Sequence, residues 1–185
     1  MKFNKQFLFT LLALTVIAAV YRVLPGRPYG FAPQMAIGLF AGSLFVNDKK
    51  MAFALPLLSM FISDVLYQLL HMAGATEMVG FYSGQWFNYL VFVGLTAVGF
   101  FVKANNVTSI VAGSIASPTL FYLISNTSVW MSGGGYSRPK TFDGYLQCMA
   151  DGLPFYANSL MATLMFGAML FGGYALLQRN KTVAA

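Results

Sequence analysis

Six apolar runs, separated by polar or glycine-rich interruptions, organise the chain: residues 7–24, 31–46, 51–70, 86–102, 107–125 and 155–177. Crossing a hydrocarbon core of about 30 Å takes about 20 apolar residues in a helix, with a working range of about 17 to 25. Each run therefore predicts a helix, the second and fourth being short. The interruptions are unequal. Some, such as 47–50, are only a few residues, whereas 71–85 and 126–154 are long, and long connections in compact proteins usually act as lids or binding segments. Within the second, Phe142, Tyr145, Leu146 and Met149 recur at helical spacing, which predicts a short amphipathic helix over 141–154 lying across the mouth of the bundle. Small residues recur four apart in Gly38/Gly42, Ala112/Ala116, Gly113/Ser117 and Ala168/Gly172, a spacing that lets helices approach closely in lipid.

Composition turns the helices into membrane helices. The chain is 58% hydrophobic and 9% charged with a mean hydropathy of +0.67, against about 25% charged residues in soluble proteins. The expected class is an all-α membrane protein, a six-transmembrane-helix bundle forming one integral membrane domain over 1–185. Lys2 and Lys5 precede the first run as in a signal peptide, but no small-x-small cleavage site follows it, and it reads as a retained helix. The eleven Lys and Arg outnumber five Asp and Glu, yet they stand at the ends of apolar runs instead of forming a basic stripe, which argues against nucleic acid. Assigning connections alternately to two sides puts Lys2, Lys5, Lys49, Lys50, Lys103, Arg179 and Lys181 on one side. Arg22, Arg27, Arg138 and Lys140 fall on the other. The positive-inside rule then predicts both termini in the cytoplasm and a multi-pass membrane protein with the two long loops facing outward.

The candidate chemistry centres on Asp64, the one acidic residue inside these runs. An ionisable side chain at membrane depth is expensive and marks a functional site by default. At 1.5 Å per residue, Asp64 lies about 20 Å beyond Met51, and Arg22 about 22 Å beyond Phe7 from the same side. Equal depth predicts an ion pair near the outer mouth. Gln34, Asn88, Asn126 and Asn158 reach the same level from other helices, with Tyr67, Tyr89, Tyr122, Trp130 and Tyr156 as possible walls. The expected substrate-binding set is Arg22, Gln34, Asp64, Asn88, Asn126, Trp130 and Asn158, since a few convergent polar groups within apolar walls describe a small-molecule site. Asn, Gln and Tyr near helix ends also serve as interhelical hydrogen bonds and interface anchors. Catalytic motifs are missing: His71 is the sole histidine, the glycines at 133–135 lack the Gly-Lys-Ser/Thr of a phosphate loop, and no Gly-x-Ser-x-Gly elbow occurs. Cys148 is the single cysteine. The expectation is no enzyme, no cofactor and no metal.

Several segments resemble an uncharacterised family of six-helix bacterial membrane transport proteins. They are Arg22 with Pro25; Gly30-Phe31-Ala32-Pro33 leading to Gly38 and Gly42; Pro56 through Ser63-Asp64; Ser125-Asn126 with Val129-Trp130; Pro139-Lys140-Thr141 with Gly144 to Cys148; and Leu153-Pro154-Phe155 with Asn158. The layout is also distantly similar to the substrate-binding S components of energy-coupling-factor (ECF) vitamin transporters. That resemblance implies an S-component-like bundle binding a vitamin or metabolite-like molecule at an outward-facing site for uptake. It also implies an energising ATPase module as partner, beside the lipid bilayer. The alternative is a structural or assembly subunit of a larger inner-membrane complex.

Overall fold

The computed structural model describes residues 5–183, and of Gln6 and residues 180–183 only the backbone. Lys2 lies outside the described residues. The helices are α1 Lys5–Val23, α2 Gln34–Leu44, α3 Lys49–Met72, α4 Gln85–Gly99, α5 Val107–Ser132 and α6 Phe142–Val183, and no strand forms among the described residues. Three segments, Lys49–Met72, Val107–Ser132 and Phe142–Arg179, are long and apolar enough to cross a membrane; Phe7–Val23 and Gln34–Leu44 are apolar but shorter.

Local chemistry sets the helix ends. Asp48 caps α3 by accepting from the Met51 amide at 3.2 Å, and Asn106 caps α5 through the Ser109 amide at 2.8 Å. Gly133, in the left-handed region at φ 77°, closes α5. The last two helices depart from the sequence expectation. α5 continues past residue 125 to Ser132, and α6 starts at Phe142 instead of 155, so the expected 126–154 loop shrinks to 133–141. The amphipathic helix expected over 141–154 is helical but continuous with α6 and not a separate element across the mouth. Apolar content misplaced these ends because polar side chains extend the helices: Gln147 donates to Asp143 at 2.7 Å, and Arg138 bridges back to Asp151. Pro154 is accommodated inside α6 although it removes one helical donor. In the turn before it, the Tyr122 hydroxyl reaches the Met149 carbonyl at 2.7 Å.

α2 is the centre of the bundle. It is buried from Gln34 to Gly42 and packs against each of the other five helices. Against α4 the contact is backbone to backbone: a Cβ on Gly99 would lie 2.6 Å from the Leu39 carbonyl oxygen, and one on Gly42 would lie 2.9 Å from the Gly99 Cα. The Gly38/Gly42 spacing thus serves close packing, as expected in lipid. Gly113 and Ser117 also face inward, whereas Ala112, Ala168 and Gly172 are exposed.

One end of the bundle carries the connections 24–33, 73–84 and 133–141; the other carries 45–48 and 100–106. Segment 24–33 does not loop away from the helices. Its Tyr29 and Gly30 carbonyls accept from Asn158 at 2.9 Å and Ser159 at 3.0 Å of α6, and Gly30 sits so close that a Cβ would lie 2.7 Å from the Phe155 carbonyl.

Candidate functional site

Ser59, Ser63 and Tyr67 repeat every four residues along α3 and, with Asp64, form its buried polar stripe. Asp64 is 2% exposed. Arg22, in the last turn of α1, places Nη1 2.6 Å from Asp64 Oδ1 and 2.6 Å from Ser63 Oγ, so the pair inferred from equal depth is present. The second carboxylate oxygen is filled from α4. Tyr89 donates its hydroxyl to Oδ2 at 2.7 Å, and Gln85, one turn earlier on the same face, donates its amide to the same oxygen. A carboxylate removed from water needs such donors on both oxygens, because desolvation costs several kcal/mol per ion. Asp64 therefore ties α1, α3 and α4 together.

A second arginine adjoins the first. Arg27 donates to the Arg22 carbonyl through Nε at 3.1 Å, and through Nη1 to the carbonyls of Phe31 at 2.7 Å and Pro28 at 3.1 Å. Tyr67 links both: its hydroxyl donates to the Arg22 carbonyl at 2.6 Å, its ring lies 5.6 Å from the Arg22 guanidinium carbon, and Arg27 Nη2 reaches its oxygen at 3.4 Å.

The 73–84 connection closes over this corner. Gly80 presses onto the Asp64 carbonyl, where a Cβ would overlap the α3 backbone. The Phe81 amide donates to Gln68 Oε1 at 3.3 Å, and the Tyr82 hydroxyl accepts from Asn88. Burial holds the Tyr82 phenol above its ordinary pKa, with Arg22 and Asp64 near enough to act on it in opposite directions. His71 shares a hydrogen bond with the Thr76 carbonyl at 3.1 Å at the base of this connection.

The remaining sequence-derived residues are dispersed. Gln34 lies one turn deeper than Arg22: its amide donates to the Ala18 carbonyl at 3.2 Å and to Ser59 at 3.4 Å, and its buried Oε1 has no partner among the described residues. Asn88 joins the Arg22 corner indirectly, through Tyr82. Asn126 donates to the Tyr122 carbonyl at 2.9 Å and abuts Gly152; its own carbonyl accepts from the buried Cys148 thiol at 3.6 Å. Trp130 donates to the Pro139 carbonyl at 2.9 Å beneath Lys140, and Asn158 holds Tyr29. Arg22, Asp64 and Asn88 thus gather at one corner, while Asn126 and Trp130 belong to the α5–α6 hairpin. Sequence reasoning missed Ser63, Gln85 and Arg27, and Tyr89 as a donor to Asp64. The four-residue spacing of Gln85 and Tyr89 at the start of α4 was the available signal.

Among the described residues no group of three or more His, Cys, Asp or Glu side chains is placed to hold a metal. No curated protein and no solved structure matches the chain. A family profile fits it over residues 1–184, and the chain accordingly belongs to a family of unknown function, DUF6580.

Proposed function

We propose that the protein binds a small molecule at its outward-facing end and serves its uptake, as an S-component-like bundle of six membrane helices. The bundle would sit in the bacterial inner membrane with both termini in the cytoplasm. The observation that carries this reading is the asymmetry of the Arg22–Asp64 pair. Among the described residues the carboxylate has a donor on each oxygen, whereas Arg22 bonds through one nitrogen and its side chain remains 28% exposed. A purely structural pair would satisfy both partners. Two features support the location: the 73–84 connection covers the corner, and the non-helical 24–33 segment descends against α6. Irregular backbone at membrane depth is tolerated where it is buried in protein or lines a water-filled cavity. Asn88 and Tyr82 would border the ligand, with Gln34 one turn below, while Asn126, Trp130 and Asn158, bonded to the backbones of Tyr122, Pro139 and Tyr29, would stand outside the site. An ATPase module or another membrane complex would supply any energy. The test is thermal unfolding of the purified full chain against a vitamin and metabolite panel. At least one compound should raise the midpoint, and a panel without any stabilising compound would sink the reading.

One observation favours the second reading, an assembly subunit. A lateral apolar groove of about 570 Å³ separates α1 from α6, floored by Ile37 and Phe40 of α2 and walled by residues such as Leu14, Ile17, Met169 and Leu177. Such a groove suits a partner's helix. Stable co-purification with membrane proteins other than an ATPase module, with no ligand response, would favour it.

A further inference from the structure

We infer that the group recognised at this site is an anion, a carboxylate or a phosphate, held between Arg22 and Arg27. The inference rests on the small-molecule reading above and adds the chemical class of the ligand. Its first support is the local charge count. Arg27 donates to the Arg22 carbonyl and both guanidinium groups adjoin Tyr67, while among the described residues Asp64 is the one carboxylate paired with either. Among the described residues the ion pairs are Arg22–Asp64 and Arg138–Asp151, so Arg27 has no acidic partner. Of the other acids, Asp48 caps α3, Asp143 accepts from Gln147, Asp151 holds Arg138, and Glu77 is exposed and forms no ion pair with Arg27 among the described residues.

The second support is donor capacity. A guanidinium carries five N–H groups, fixed in a fork that matches carboxylate and phosphate oxygens. Arg22 Nη1 serves Ser63 and Asp64, while its Nε and Nη2 have no acceptor among the described residues. Arg27 Nη2 has one long contact, at 3.4 Å, to a hydroxyl that already donates elsewhere. Asp64 cannot move to serve them, since Gln85 and Tyr89 fix its second oxygen. Both arginines are half-buried, where attraction for an anion is screened less than at an open surface. A cationic ligand would meet two positive groups and a carboxylate whose oxygens are occupied.

The anion could come from a free solute or from a lipid headgroup, and the experiment separates the two. The full chain is reconstituted in phosphatidylcholine nanodiscs and its thermal midpoint measured with orthophosphate, with succinate, and with succinamide as the uncharged counterpart. A parallel series replaces part of the lipid with phosphatidylglycerol. Stabilisation by orthophosphate or succinate but not succinamide supports a soluble anion. Stabilisation by phosphatidylglycerol alone supports a headgroup. In either case Arg27→Gln should weaken the response roughly tenfold or more in apparent affinity, the scale of one charge-assisted hydrogen bond. Arg27→Lys, which keeps the charge but not the fork, should weaken it less, and it replaces Arg27→Gln if that variant is poorly folded. Succinamide acting as well as succinate, or a metabolite panel whose stabilising members are all neutral or cationic, overturns the anion assignment and leaves the small-molecule reading standing. A panel with no stabilising compound of any charge removes the reading beneath it.

Discussion

Arg138 meets Asp151 with two arms of its guanidinium, Nε at 2.8 Å and Nη2 at 2.9 Å, and turns the third toward Gln147 at 3.2 Å. Arg22 meets Asp64 through a single nitrogen that it shares with Ser63. The environments differ in the opposite sense: the Asp151 side chain is 24% exposed and that of Asp64 3%. The two-armed pair lies where water can replace either partner. The one-armed pair lies where the carboxylate cannot be left alone, and α4 supplies its remaining donors. The same residue types therefore make a closed fork in the α5–α6 hairpin and, at the α1–α3–α4 corner, a fixed anion beneath a partly uncommitted cation.

Mutations can break this contrast, from the largest effect to the smallest. Asp64→Ala strands Arg22, Gln85 and Tyr89 around a vacated buried site and should cost about 3–5 kcal/mol, the scale for breaking a buried ion pair, read as a large fall in the thermal midpoint in detergent. The charge-reversed double variant Arg22→Asp with Asp64→Arg should remain destabilised, since position 64 is surrounded by donors. Full recovery would mean that the pair acts through charge alone. Gln85→Ala removes one donor to a charged group and should cost about 1.5–3 kcal/mol by the same measurement. Arg138→Gln should lower the midpoint least, and the difference should shrink in 1 M salt, where the screening length falls to about 3 Å. A larger loss for Arg138→Gln than for Gln85→Ala would invert the comparison.

Much of this was legible in the chain. Apolar runs marked where the helices lie, and the 1.5 Å rise was enough to bring Arg22 and Asp64 to one level. Rise gives depth and not direction around the bundle. The spacing puts Asn126 and Asn158 near the level of Asp64, yet in the structure they bond to the backbones of Tyr122 and Tyr29. The continuity of α6 through Pro154 was hidden because a proline after a polar stretch reads as a boundary, and the Tyr122 contact before it is long-range. Gln85 stood at the edge of the 71–85 loop, where a side chain's partner depends on how α4 meets α3.

On the proposed membrane placement, the shortness of α2 bears on how a potential would act across the bundle. Eleven residues make a helix of about 16 Å, roughly half of a hydrocarbon core of about 30 Å. The non-helical 24–33 segment, with Arg27, leads from the first residue of α2, Gln34, toward the end where Arg22 lies. With the bundle so placed, a potential would drop over a shorter path along α2 than along its longer neighbours wherever water reached both of its ends. Each elementary charge carried through the full potential is worth about 2.3 kcal/mol per 100 mV. On that placement, a charge carried past Gln34 would take up its work over the length of one short helix.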